Sequence, residues 1–251
     1  MATGFYRRLL DADVTPMHSL TEAEAAKLVE NAFRDVNIAF VNELAMSFDR
    51  LGIDITRVLA GAATKPFGFM PHMPGAGVGG HCVLVDPYYL IDAAESVGFD
   101  HRFLKLTREI NDGMAEYTVD LLEEEIGQFD EAGDWTIGLL GLAYKAGVAD
   151  LRGSPALRIR AFVQQRGWRC EAFDPYVPAE SSHESLSALI SACDAIVLCT
   201  DHAPFRALTA PQLVAAGVRV VIDGRNALDG KAIAEAGIAY RGIGRGGPGL
   251  M

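Results

Sequence analysis

Trp135-Thr-Ile-Gly-Leu-Leu-Gly-Leu-Ala-Tyr-Lys145 is the stretch on which the fold turns. Its apolar run, 135–142, is short and ends at a glycine turn, as a buried strand does. Four further β-rich runs follow, at Arg169–Phe173, 195–200, 219–223 and Ala239–Gly242. Helical patterns fill the gaps at 155–166, 186–192, 203–216 and 230–236. Strand alternating with helix predicts a doubly wound parallel sheet, a Rossmann-like domain over 133–245. The glycine-rich end, 246–251, is expected to fray.

Upstream of this stretch the pattern is helical, and the expected fold class is α/β with a helical domain over 21–132. Residues 1–20 read as a lead-in. Thr21 with Glu24 fits a capping box. From Glu22 to about Leu51 no Gly or Pro intervenes. Apolar residues recur there at Ala25, Leu28, Val29, Ala32, Phe33, Val36, Ala39, Phe40 and Leu44, which is helical spacing. Such a helix is about 45 Å long, enough to link domains or carry a dimer interface. Gly52 stops it, and a short helix follows over 55–62. Residues 64–81 hold three prolines and five glycines and cannot form regular structure. A long loop inside a compact domain is usually functional. Asp86-Pro87 is expected to open the next helix, ending near Val97, and another helix spans about 101–128.

Composition narrows the function. Half of the 251 residues are hydrophobic, which excludes disorder for the bulk of the chain. The net charge of −11 excludes a broad basic face for nucleic acid or anionic lipid. No apolar run is long enough for a membrane span, and no apolar stretch follows the basic residues near the N-terminus. The four cysteines, Cys82, Cys170, Cys193 and Cys199, form no C-x-x-C pair, and no His/Cys group has zinc spacing. Reduced thiols, a cytoplasmic location and no metal are expected.

Chemistry concentrates at a few residues. Cys82 ends the Gly-rich loop and borders a helix start, where the positive end of the helix dipole favours thiolate. Gly79 and Gly80 let a ligand approach the backbone. The bland alternative is a buried structural cysteine. Asp86 lies one helical turn on and can face the same cavity. Lys27 and Asn31 are i and i+4 and share a helix face. On spacing alone Lys27 is a snorkelling lysine. The glycines after the first strand are not G-x-G-x-x-G, so a dinucleotide fingerprint is absent. That turn still leads to a helix start holding Ser154, where Lys145 and Arg152 suit a phosphate. His81 reads as loop packing, because adjacent residues rarely align for proton transfer. His72, His101, His183 and His202 show no metal spacing.

Three motifs carry a resemblance. Pro74-Gly-Ala-Gly-Val-Gly-Gly-His-Cys82-Val-Leu-Val-Asp86-Pro-Tyr-Tyr resembles the catalytic-cysteine signature of the nucleotide-sugar 6-dehydrogenases. Glu24-Ala-Ala-Lys27-Leu-Val-Glu-Asn31-Ala-Phe resembles that family's central helix. Gly141-Leu-Ala-Tyr-Lys145 through Asp150-Leu-Arg152-Gly-Ser-Pro155 resembles the start of its sugar-nucleotide domain. Ala62-Ala-Thr-Lys-Pro-Phe-Gly-Phe69 is closer to the UDP-N-acetylglucosamine branch than to the UDP-glucose branch.

The resemblance implies oxidation of a UDP-sugar C6 alcohol to the carboxylate, with NAD as oxidant and a UDP-N-acetylhexosamine as substrate. Cys82 would form a thiohemiacetal and then a thioester. Lys27 and Asn31 would stabilise the oxyanions, and Asp86 would serve the hydrolytic water. Lys145 and Arg152 would bind the pyrophosphate. Pro71, His72, Met73, Pro74, Gly75 and Gly79 would wrap the sugar nucleotide. The long helix implies a homodimer. The family begins with an NAD-binding domain bearing G-x-G-x-x-G, and this chain starts near that domain's end. The expectation is therefore a chain without its own NAD site, partnered by a separate chain if the gene is split. Two alternatives stand beside it: a UDP-sugar-binding module without turnover, and a cysteine hydrolase with a remote histidine.

Overall fold

The structure, a computed structural model, describes residues 2–129 and 134–246. The expected boundary near 132 and the tail beyond Gly246 lie outside them. A short helix, α1 (Ala2–Leu9), precedes α2 (Leu20–Leu51), which is followed by α3 (Ile55–Ala62), α4 (Cys82–Glu95) and α5 (Arg102–Ile126). The remainder alternates: β1 (Thr136–Leu140), α6 (Pro155–Gln165), β2 (Arg169–Phe173), α7 (Leu186–Ser191), β3 (Ala195–Leu198), α8 (Ala203–Arg206), α9 (Ala210–Ala216), β4 (Val220–Asp223), α10 (Gly230–Glu235) and β5 (Ala239–Gly242). All strands are parallel, in the order β2-β1-β3-β4-β5. The two sides of β1 make the sheet doubly wound.

The strand alternation divides the core. Ile137, Leu139, Val197 and Ile222 pack with Met114, Leu122 and Ile159 of α5 and α6. Leu140, Ile196, Leu198 and Val221 pack with Phe205, Leu213 and Ile233 on the opposite face. The first cluster also takes in Val41 and Ala45 of α2 and Ile55 and Leu59 of α3, so helices and sheet share one core. Asp49 at the end of α2 accepts from Tyr117 Oη at 2.5 Å and from the backbone N–H groups of Gly244 and Gly246 at 3.0 and 2.9 Å. It ties the long helix to the chain beyond β5.

Four local expectations are corrected. The cap of α2 is Ser19, whose hydroxyl accepts from Glu22 N at 3.1 Å, while the Glu22 carboxylate accepts from His18 N. Thr21 therefore lies inside the helix. Helix α4 begins at Cys82, not at Asp86-Pro87, and Pro87 sits within it. The chain turns at Gly80, with φ +91°, and the helix starts two residues later at the cost of one hydrogen bond at the proline. The helix expected over 203–216 is two helices. Thr209 and Gln212 form a capping box, and Pro211 cannot supply the N–H that would continue the first.

The fourth correction concerns α2. Its buried face holds Asn31, Asp35, Asn42 and Asp49 among Ala32, Ala39, Val41 and Ala45. Val29, Phe33 and Phe40 of the expected apolar stripe are about half exposed instead (58%, 48% and 54%). A buried polar network against α5 explains this: Arg108 pairs with Asp35 at 2.6 Å, and Asn111 donates to Asp35 Oδ1 at 2.8 Å. Asn111 in turn accepts from Asn42 at 2.9 Å. Among the described residues, no helix is long and apolar enough to cross a membrane.

Candidate active site

Cys82 is the first residue of α4 and is exposed. The other three thiols are partly or fully buried. Burial pushes Cys170 and Cys193 up to about 12 and Cys199 higher still. Cys82 opens onto a cleft of about 420 Å³. Helix α2 supplies Lys27, Asn31 and Arg34 to its walls. The loop before α4 supplies Gly79, Gly80 and His81, and the chain after β1 supplies Tyr144, Lys145 and Arg152. Thus six of the twelve residues to which the resemblance gives a role line one cleft: Lys27, Asn31, Gly79, Cys82, Lys145 and Arg152.

Local backbone explains how distant segments meet here. A Cβ on Gly79 would stand 2.8 Å from Tyr144 Cβ and 2.9 Å from the Gly153 carbonyl, and one on Gly80 would meet the Tyr144 ring at 2.8 Å. Only glycines let the loop lie this close. Gly80 N also donates to Arg152 O at 2.9 Å. The cysteine helix is therefore fastened to the sheet's first loop.

Within the cleft, Lys27 Nζ pairs with Glu30 at 3.1 Å and is largely exposed. It reaches water and edges the cleft. Asn31 is buried. Its amide donates to Asp86 and its carbonyl accepts from Arg34. Asp86 is half-buried and is not among the cleft walls; Asn31 connects it to them. Arg152 grips Asp150 through Nε and Nη2, at 3.0 and 2.6 Å, and this holds the Asp150 carboxyl down at about 2. Lys145 Nζ lies 5.6 Å from the centre of the Tyr144 ring.

The loop residues Pro71 to Gly75 do not line this cleft. His72 lies in a neighbouring apolar cleft with Phe33, Phe40 and Met70. Pro71 and Met73 are exposed, and Pro74 and Gly75 are buried. Gly75 N donates to Asn42 at 3.0 Å, and a Cβ on Gly75 would meet Arg225 at 2.8 Å. His81, expected to pack in the loop, is exposed on the cleft, because it precedes the helix. Arg34 was not singled out from sequence, and Tyr144 stood there beside Lys145 in the stretch after the first strand without a role of its own. Arg34 carried one usable signal, its i+3 spacing from Asn31. Among the described residues no cluster of His, Cys, Asp or Glu could hold a metal.

Behind the β1 loop, Asp174 is fully buried at the end of β2. Burial alone would raise its carboxyl. Hydrogen bonds from the His202 ring and from the backbone of Ala143, Leu142 and Tyr176 outweigh burial and bring it down to about 2.

Sequence patterns of one family match both parts of the chain. The UDP-glucose/GDP-mannose dehydrogenase family, central domain, matches residues 21–113, and the same family's UDP binding domain matches residues 138–230. The chain belongs to this family. Family members resemble it along nearly its whole length. A UDP-N-acetyl-D-mannosamine dehydrogenase of Pyrococcus horikoshii is 35% identical over 98% of this chain and 57% of its own. A solved structure of UDP-D-ManNAc dehydrogenase from Pyrococcus horikoshii superposes with a TM-score of 0.88, covering 97% of this chain and 56% of that one. A UDP-N-acetyl-D-glucosamine 6-dehydrogenase of Pseudomonas aeruginosa is 36% identical over 85% of this chain and 52% of its own. The chain thus spans about half the length of the curated relatives it matches.

Proposed function

We propose that this chain binds a UDP-N-acetylhexosamine and presents Cys82 to the sugar's C6, within the oxidation of a C6 alcohol to the uronate. The observation that carries this reading is the single cleft, where the exposed thiol meets cations from α2 and from the β1 loop. Lys145 and Arg152 suit the diphosphate. Once C6 is an aldehyde, the Cys82 thiolate adds to it. A C–S bond forms, the carbonyl π pair moves to oxygen, and Lys27 and Asn31 face the charge that develops there. Passing from the thiohemiacetal to a thioester requires a hydride acceptor. At the thioester stage water attacks the acyl carbon, its proton goes to the Asp86 carboxylate that Asn31 joins to the cleft, and Cys82 leaves as thiolate.

The family's oxidant, NAD, fits this sheet poorly. In a dinucleotide site the turn after the first strand offers free N–H groups to the pyrophosphate, and an acid after the second strand meets a ribose. Here Leu142 N and Ala143 N are both bonded to Asp174, which is itself buried. What this chain's residues supply is the sugar-nucleotide pocket and the thiol. The same mismatch favours a second reading for the chain taken alone, UDP-sugar binding without turnover. Calorimetry with UDP and with NAD separates the two: heat with UDP only supports the second, and NAD-dependent turnover removes it.

The thiol assignment has a direct check. Iodoacetamide at pH 8 should alkylate Cys82 first, with the buried Cys193 and Cys199 unlabelled by mass spectrometry. UDP-N-acetylglucosamine should slow that labelling at least about fivefold by covering the sulfur. Labelling unaffected by saturating ligand would remove Cys82 from the site.

We also propose a homodimer through the outer face of α2, because Phe33 and Phe40 are exposed beside the exposed Met70. Sedimentation should give a dimer for the native protein and a monomer for Phe33→Lys/Phe40→Lys. A dimer unchanged in that variant places the interface elsewhere.

A further inference from the structure

His202 and Asp174 are both fully buried and neither lines the catalytic cleft. Yet they hold the loop that does. Asp174 Oδ2 accepts from Leu142 N at 2.7 Å and from Ala143 N at 2.9 Å. The same oxygen meets His202 Nε2 at 3.0 Å, and His202 Nδ1 lies 3.1 Å from Gly147 N. One pair of side chains therefore grips the loop at 142–143 and again at 147. Tyr144 and Lys145, both cleft walls, stand between the two grips.

The hydrogen bonds also determine the tautomer. A backbone N–H can only donate, so Nδ1 carries the lone pair, and the ring proton sits on Nε2 facing Asp174. A second proton, on Nδ1, would set two donors against each other at Gly147 and release that end of the loop.

We propose that Asp174 and His202 are positioning residues of the sugar-nucleotide site, and that proton uptake by His202 weakens UDP-sugar binding by freeing the Tyr144–Lys145 segment. The proposal rests on the UDP-sugar reading above. The groups around the ring are few. Asp174 is bonded to it, Tyr176 lies 4.8 Å away ring to ring, and Phe205 closes the α8 side. Asp201, the preceding residue, is engaged by Arg225. Arg206 meets the His202 carbonyl through its backbone N–H. His183 and Glu184 line a separate cleft beside Asp174, and Lys145 sits on the loop itself.

The test is the affinity for UDP-N-acetylglucosamine between about pH 8 and pH 5. Both phosphates of this probe keep their charge there. The native protein should bind about tenfold more weakly at the acid end, the effect of one lost clamp. His202→Gln, whose amide can donate to Asp174 and accept from Gly147, should bind with a flat profile. His202→Ala should bind about tenfold more weakly throughout. His81 also edges the cleft, so His81→Gln should retain the native slope. A slope that disappears in His81→Gln, persists in His202→Gln, or is missing from the native protein overturns the positioning role alone. No binding by the native protein at pH 8 brings down the UDP-sugar reading and this proposal together.

Discussion

Cys82→Ser should abolish the covalent adduct between this chain and a UDP-N-acetylhexosamine 6-aldehyde. With carbon-13 at C6, the native protein should move the carbon resonance from the aldehyde and its hydrate to a thiohemiacetal. The serine variant should leave it unmoved, because a hydroxyl beside no strong base is a far weaker nucleophile than a thiolate at neutral pH. This readout needs no hydride acceptor, so it isolates the step proposed for the chain's own residues. Binding of UDP-N-acetylglucosamine should change little, since sulfur and oxygen differ slightly in size and the proposed diphosphate contacts, Lys145 and Arg152, are untouched. Wherever NAD-dependent turnover is measurable, acid formation should fall by at least about 10³-fold, the scale of losing a nucleophile. An adduct that persists in the serine variant would assign the chemistry to another residue. Lys27→Met should keep the adduct detectable and lower its equilibrium fraction, which separates the ammonium's part from the sulfur's.

Arg108→Ala should cost about 3–5 kcal/mol of folding stability, the range for stranding one member of a buried ion pair. Asp35 is 0% exposed and Arg108 2% exposed, so the substitution strands the Asp35 carboxylate inside the protein. The loss is large against the total of about 5–15 kcal/mol expected for a globular protein. Its pH dependence has a definite sign. Burial raises the Asp35 carboxyl above the ordinary carboxylate range, while Arg108 and Asn111 pull it down. Removing Arg108 therefore raises it further. A carboxyl raised in the folded state contributes stability at low pH that is lost as pH rises through its folded value. The deficit of Arg108→Ala should accordingly shrink at pH 4 and be full at pH 8, as urea denaturation would measure. Arg108→Met/Asp35→Leu should recover much of the loss by replacing the pair with apolar volume. An equal deficit at both pH values would mean that Asp35 keeps its charge by another route. The network continues through Asn111 and Asn42 to Gly75, so the same variant should loosen the loop around residue 75.

Much of the architecture was legible in the residues. The β-rich runs Arg169–Phe173 and Ala239–Gly242 match strands β2 and β5 end to end. The uninterrupted span from Glu22 to Leu51 is one helix in space. Strand β1 is shorter than its apolar run, because Leu142 N and Ala143 N bond to Asp174 in place of a neighbouring strand. A run of apolar side chains carries no sign of where the backbone donors go. The apolar stripe of α2 misled for a related reason. Spacing identifies the faces of a helix and cannot say which one the protein buries, and a hydrogen-bonded polar network can occupy the inner face.

The sequence alone determined that a cysteine follows a glycine-rich loop, that a lysine and an asparagine share one helix face, and that the last part of the chain folds on a parallel sheet. Glycine content, helical period and strand alternation are local properties, written in neighbouring residues. Only the tertiary structure decided that α2, the cysteine helix and the first sheet loop meet at one cleft. It also placed Pro71 to Gly75 outside that cleft, and put Asp174 and His202 behind the loop that Tyr144 and Lys145 occupy. Those outcomes depend on where buried donors find acceptors across tens of residues. That choice is made when the elements pack, because an unpaired polar group inside the protein costs more than the ordering needed to pair it.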